Sequence, residues 1–319
     1  MALYDNFVAV LLAALTSFTS SITGASVPPA SNVKMDSVQV SINESIEQSQ
    51  NENMISGVSI IDRAHNNRMK TGGHSHMPIK VESLGRLPIL FYAIRVDDNV
   101  TRGKVPEIVS MVQGNEGPAT DAMWERYGKN AIINDLKQRY NLQETIPGES
   151  WSDLRMSSVD VGRLIRRFLD DDGISSKKKA WAINLMRNTA TNSGGNDLSF
   201  GLPNALGAND GEQRLSWMQG WSGTGSNTMI RSSAGVYGDD MRYIIVELGE
   251  VSPATTDEDA NTKINNITQK LVENSPFYND DEKDEKAQEF KEKQEKEFPN
   301  TVGAVSYTHL RAHETGRNL

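Results

Sequence analysis

Ser83 and Arg86 stand three residues apart at the head of an apolar run, in VESLGRLPILFYAI (Val81 to Ile94). Near a helix N-terminus, positions i and i+3 share a face. The helix dipole and its free N–H groups favour the oxyanion that forms when a serine oxygen attacks a carbonyl. A neutral lysine at the second position can take the serine proton. An arginine cannot, because it stays protonated at any pH a protein survives. Ser83 is therefore either a nucleophile candidate beside a cation without basicity, or a helix N-cap, a role that suits serine.

Three further stretches carry groups that could complete such chemistry. In MVQGNEGPATDAMW, Asn115 can hydrogen-bond but is a poor proton relay, and Gly117 has no side chain; Pro118 also fits the first turn of a helix. Before the helical pattern SSVDVGRLIRRFL, Glu144 and Glu149 supply carboxylates by position. In SWMQGWSGTGSNTMIRSSAGVYG, the segment with Gly220, Trp221, Ser222 and Gly223 allows close backbone approach. The same glycines suit a hairpin or bulge. They form no phosphate loop, since no strand–loop–helix context surrounds them. Arg231 is a cation farther along that stretch. His74 and His76 alternate in a Gly-rich loop without a third ligand, so neither a metal nor a cofactor is expected. Asp170-Asp171-Asp172-Gly173 lacks the alternation of a calcium loop and reads as a helix end. Trp124, Trp151 and Trp181 fit a core, whereas Trp217 and Trp221 could line a cleft wall.

The elements that would position these groups follow from periodicity. GVSIID reads as a strand entering a hairpin, and helical patterns run from SLGRLPILFYAIRV to KKKAWAINLMRN. NTMIRSSAGVYG and MRYIIVELGE read as two strands joined by a turn, and NTKINNITQKLVEN as an amphipathic helix. The order predicts an α/β (α+β) fold: an antiparallel sheet built from both chain ends, flanked by helices, with an all-helical lobe inserted.

The totals narrow the function. A net charge of −9 argues against nucleic acid as partner, and the absence of cysteine excludes disulfides, Cys-bound metals and a thiol nucleophile. Only 37% of the residues are apolar, so part of the 319-residue length is expected outside a core. FVAVLLAALTSF followed by small residues reads as a secretory signal over 1–26, too short to span a bilayer, although no Lys or Arg precedes it. The expected domains are that signal, a polar linker over 27–53, a folded domain over 54–275 and a charged tail over 276–303, either a solvated helix or disordered. Residues 304–319 contain VSYTHLRAHET, which resembles translated sequencing-adapter sequence, so His309 and His313 carry no functional weight.

From about Gly57 to Glu273 the order of these segments resembles the penicillin-recognising serine hydrolases, close to class A β-lactamases and to their actinobacterial relatives. The resemblance implies a class A β-lactamase-like fold, with Ser83 at the nucleophile position and Arg86 where the family has lysine. It puts Asn115 at the proton-relaying serine, Gly117 at a substrate contact, and either Met218-Gln219-Gly220 or Trp221-Ser222-Gly223 at Lys-Thr-Gly. It implies that Arg231 might stand in for the missing lysine, and that Glu144 or Glu149 falls near the deacylating glutamate. The expectation is an extracytoplasmic protein, secreted or attached to the cell envelope. With its proton-moving positions changed, it is non-catalytic or weakly active, inefficient as a β-lactamase, and partnered by a cell-wall peptide or another envelope component. The alternative is an active serine acyl hydrolase or transferase using Ser83.

Overall fold

A computed structural model describes residues 30–207, 214–223, 228–238, 240–253, 255–273, 275, 277 and 285–298. The signal-like segment 1–26 and the adapter-like segment 304–319 lie outside them. Five antiparallel strands form the central sheet: β1 (Met54–Asp62), β2 (Arg68–Gly73), β7 (Leu215–Trp221), β8 (Met229–Tyr237) and β9 (Tyr243–Val251), in the order β2-β1-β9-β8-β7. The first strand thus pairs with the last along its whole length, Met54 opposite Val251 through Asp62 opposite Tyr243.

The lobe between the two halves of the sheet starts with a short strand β3 (Ile79–Lys80) and a 3₁₀ turn (Glu82–Gly85). It continues through α2 (Arg86–Val96), α3 (Glu107–Val112), α4 (Gly117–Arg126), α5 (Asn130–Tyr140), β4 (Arg155–Met156), α6 (Ser158–Asp170) and α7 (Ser176–Arg187). α2 is apolar almost all round and buried accordingly, from Leu87 to Ile94 with only Tyr92 partly exposed. Its Phe91 stacks on Phe168 of α6 with ring centroids 3.9 Å apart. α6 lies on the sheet, against β9 and β1. Ser157 fixes its start, its Oγ accepting from the Asp160 N–H at 3.0 Å.

The other face of the sheet is covered by α1 (Ala30–Asn51) and α9 (Asp257–Glu273), with small β5 (Asn192–Ser193), β6 (Asn196–Asp197) and α8 (Leu202–Ala205) at its margin. Over 30–51 α1 replaces the linker expected for 27–53; residues 27–29 lie outside the described residues. Its inward stripe is Val38, Ser41, Ile42, Ser45 and Ser49, all buried. Serines fill three of those positions, and their hydroxyls bond backbone carbonyls, as Ser49 does to Met54 O at 3.0 Å. The helical spacing was present; its apolar signal was diluted. In the charged tail, α10 (Glu285–Glu297) resolves the helix-or-disorder alternative as a helix docked on the lobe: Gln294 and Phe298 are buried, and Phe290 lies under the Arg63 guanidinium.

Candidate functional site

The chain reaches Ser83 under constraint. Lys80 is tied to Glu82 at 3.2 Å and Asp153 at 3.0 Å, and Glu82 itself has φ +47°, a conformation unfavourable for a residue with a β-carbon. Ser83 sits inside the 3₁₀ turn and is 8% exposed. It is not an N-cap: Val81 precedes the turn, Gly85 precedes α2, and neither boundary carries a side-chain cap. Among the described residues no group hydrogen-bonds its Oγ. Lys80 offers no base, since its hydrogen bond to Asp153, then that to Glu82, pulls its ammonium above the ordinary lysine value.

Arg86 is the best-connected side chain beside Ser83. Its Nε donates to Thr120 Oγ1 at 2.8 Å, Nη1 to Ser83 O at 3.3 Å and to Asn115 Oδ1, and Nη2 to Asn115 O at 3.1 Å. Asn115 presents both acceptors because it is left-handed, φ +54°, which asparagine tolerates better than most residues. Trp151 lays its ring 4.8 Å from the guanidinium carbon and donates its Nε1–H to Asp121 at 2.7 Å. Arg231, Arg242 and Arg63 each touch a carboxylate, whereas Arg86 has none in ion-pair contact among the described residues. Burial pushes it down to about 10, against the distant charge of Asp121, and it remains a cation at neutral pH. Thr120, Asp121 and the placement of Trp151 were not singled out from the sequence; Trp151 had read as core.

Alternation along β7 decides which of its residues face Ser83. Gly220 lies against the serine turn, where an added Cβ would meet Val81 O at 2.5 Å and Leu84 Cβ at 3.3 Å. Met218, two residues back on the same face, joins the core of the lobe. Trp217, Gln219 and Trp221 point to the opposite face. Trp217 is 2% exposed and packs with α1 and β1, and Trp221 packs with the cluster that joins β8 and α9. Trp217 is therefore core rather than a cleft wall, whereas Trp221 lines a pocket with Asn196, Asp257 and Asn261 on the α9 face, away from Ser83. Ser222 ties off the strand end, its Oγ accepting from Ile230 N at 2.8 Å, and Gly223 lies beside the Trp221 ring. Gly117 borders open space at the start of α4.

Arg231 also differs from its expected place. It projects on the α9 face, fully buried, with Nε on Asn261 Oδ1 at 2.6 Å, Nη1 on Ser222 O at 2.8 Å and Nη2 on Asp257 Oδ1 at 2.5 Å. A cation so engaged on the far side of the sheet does not replace a lysine beside Ser83. Of the two candidate carboxylates, Glu149 is exposed, while Glu144 is bonded by Ser157 Oγ and lies 2.6 Å from His76 Nδ1. Partial burial raises Glu144, but those two partners outweigh it and hold the group below the usual glutamate value. Among the described residues no cluster of three His, Asp or Glu could hold a metal, and no described helix is long and apolar enough to cross a membrane.

Solved structures of class A β-lactamases share this architecture. TLA-3 extended-spectrum β-lactamase superposes with a TM-score of 0.59 at 12% identity, covering 75% of this chain and 98% of its own. A β-lactamase from Chitinophaga pinensis gives 0.58 at 11% identity, covering 73% and 98%. A class A β-lactamase from Bacteroides cellulosilyticus gives 0.59 at 11%, covering 75% and 98%. The fold is that of the class A β-lactamases. At these identities the likeness extends to the fold alone. No family model matches the sequence. In sequence the chain is similar to the "Putative lipoprotein LppW" of Mycobacterium tuberculosis and of Mycobacterium bovis, 30% identical over 141 residues, 43% of this chain. It spans 43% of the length of those relatives.

Proposed function

We propose that this is an extracytoplasmic, envelope-associated protein that uses a β-lactamase-like frame for binding rather than for efficient acyl transfer. The observation that carries this reading is the occupation of Arg86. The group that stands where a base would take the Ser83 proton is a permanent cation, and Asn115, Thr120 and Ser83 O hold it in place. Glu144, bonded to Ser157 and His76, is committed elsewhere. A serine without a base attacks slowly, because the nucleophile is the alkoxide or a hydroxyl deprotonated in flight. The lipoprotein named among the relatives supports an envelope location, and a cell-wall peptide or another envelope component is the proposed partner.

Labelling the full chain with a fluorescent penicillin and a panel of activated esters, followed by intact mass, tests the proposal. The expected result is no adduct at Ser83. An adduct that disappears in Ser83→Ala would overturn it in favour of a serine acyl hydrolase or transferase. One observation favours that second reading: the positive φ at Glu82, directly before a serine whose Oγ has no hydrogen-bond partner among the described residues, is backbone strain of the kind stored at reacting residues.

A further inference from the structure

Glu247 lies at the middle of β9, fully buried on the face covered by α9. Its neighbours are Val58 across β1, Ser233 across β8, and Thr268 of α9. Thr268 Oγ1 is 2.5 Å from Glu247 Oε2 and 2.7 Å from Ile264 O. A threonine hydroxyl has one proton and cannot donate to both oxygens. The carbonyl of Ile264 only accepts, so the hydroxyl serves it, and the second short contact needs a proton from the carboxyl. An ionised Glu247 would leave two oxygens 2.5 Å apart without a proton between them, and its other oxygen, Oε1, is buried with no hydrogen-bond partner among the described residues. Ser233 cannot supply a charge, and its Oγ already accepts from Leu202 N at 3.3 Å.

We infer that Glu247 is a neutral carboxylic acid that donates its proton to Thr268, and that this bond is a pH-sensitive latch of α9 on the sheet. Among the described residues, the charged groups on the surrounding elements are engaged elsewhere: Arg231, on the same face of β8, pairs with Asp257. Lys263 of α9 pairs with Asp259 and with Glu52 of α1, and Lys270 with Glu273, at or near the surface. Burial pushes the carboxyl up, to about 8. The latch bears on the cleft strand because α9 also supplies Asp257 and Asn261 to Arg231, which grips Ser222 at the end of β7.

Because the folded value lies above the unfolded one of 4.5, the latch is complete at low pH and its stabilisation is lost as pH rises towards about 8. Over that window the folding constant of the full chain should fall by up to about tenfold per pH unit relative to Glu247→Gln, which keeps the shape and cannot ionise. The infrared difference between the two at neutral pH should contain the carbonyl stretch of a protonated carboxylic acid, displaced in Thr268→Val. Amide exchange along α9 in the unaltered chain, corrected for its intrinsic pH dependence, should rise over the same window, a readout that survives if a variant fails to fold. Absence of the protonated-acid band, or identical pH profiles for the unaltered chain and Glu247→Gln, would overturn the inference.

Discussion

Arg86 holds Asn115 by both its side-chain and its backbone carbonyl, and the same guanidinium reaches back to Ser83 O. One side chain thereby fixes the loop before α4 against the turn that precedes α2. A planar fork is required for this, since lysine is a point charge on a flexible stem. Arg86→Lys should therefore lower stability by about 2 kcal/mol, through lost charge-assisted hydrogen bonds. The urea midpoint should fall with the slope unchanged.

Two glycines set how closely the walls of the site meet. A Cβ on Gly85 would lie 2.3 Å from Trp151 O, and one on Gly220 2.5 Å from Val81 O, both backbone atoms that cannot rotate away. Gly85→Ala and Gly220→Ala should each cost about 1–3 kcal/mol by overpacking. Gly117→Ala meets nothing within 4 Å at a helix start and should be neutral or stabilising, by up to about 1 kcal/mol. Melting temperatures of the three variants check the contrast.

Asp62, at the end of β1, takes Arg242 Nε and Nη2 on its two oxygens at 3.0 Å each, with His65 Nδ1 2.7 Å from Oδ2. Burial raises the carboxyl, but the hydrogen bonds from His65 and Arg242 and the charge of Arg242 outweigh it and hold the group below the usual 3.8. A lowered folded value means stabilisation that is present above the ordinary aspartate range and lost as pH falls through the folded value. Asp62→Asn should cost about 3–5 kcal/mol at neutral pH, because it removes the carboxylate that two nitrogens of the buried Arg242 grip. The gap between the variant and the unaltered chain should narrow on acidification, as read from denaturant melts below pH 4.

Much of this arrangement was legible from periodicity. Strands at both ends and helices between them predicted the sheet and the inserted lobe, and Ser83 with Arg86 marked the start of α2. What escaped depended on direction rather than on type. Arg231 and Trp221 lie on β8 and β7 beside the expected site, but alternation turns both side chains to the α9 face, and the sequence left the register of β7 open. Trp151 does pack against the core of the lobe, as expected, but its contact with Arg86 was not foreseen. Its partner, a buried guanidinium, comes from a segment 65 residues away and has no sequence signature. α1 was hidden for a different reason, its inward serines supplying helical spacing without hydrophobicity.

The pairing of Met54–Asp62 with Tyr243–Val251 also fixes an order of assembly. As the chain is made from its N-terminus, β1 has only β2 beside it until the whole lobe has been synthesised, and its second edge stays open through that interval. β7, the strand that closes on the serine turn, has β8 as its single neighbour in the sheet and is held there only once β9 arrives to bridge β8 and β1. The cleft therefore waits on a strand made long after the serine: a chain stopped short of β9 would carry Ser83 and Arg86 on a helical lobe with no opposite wall held in place.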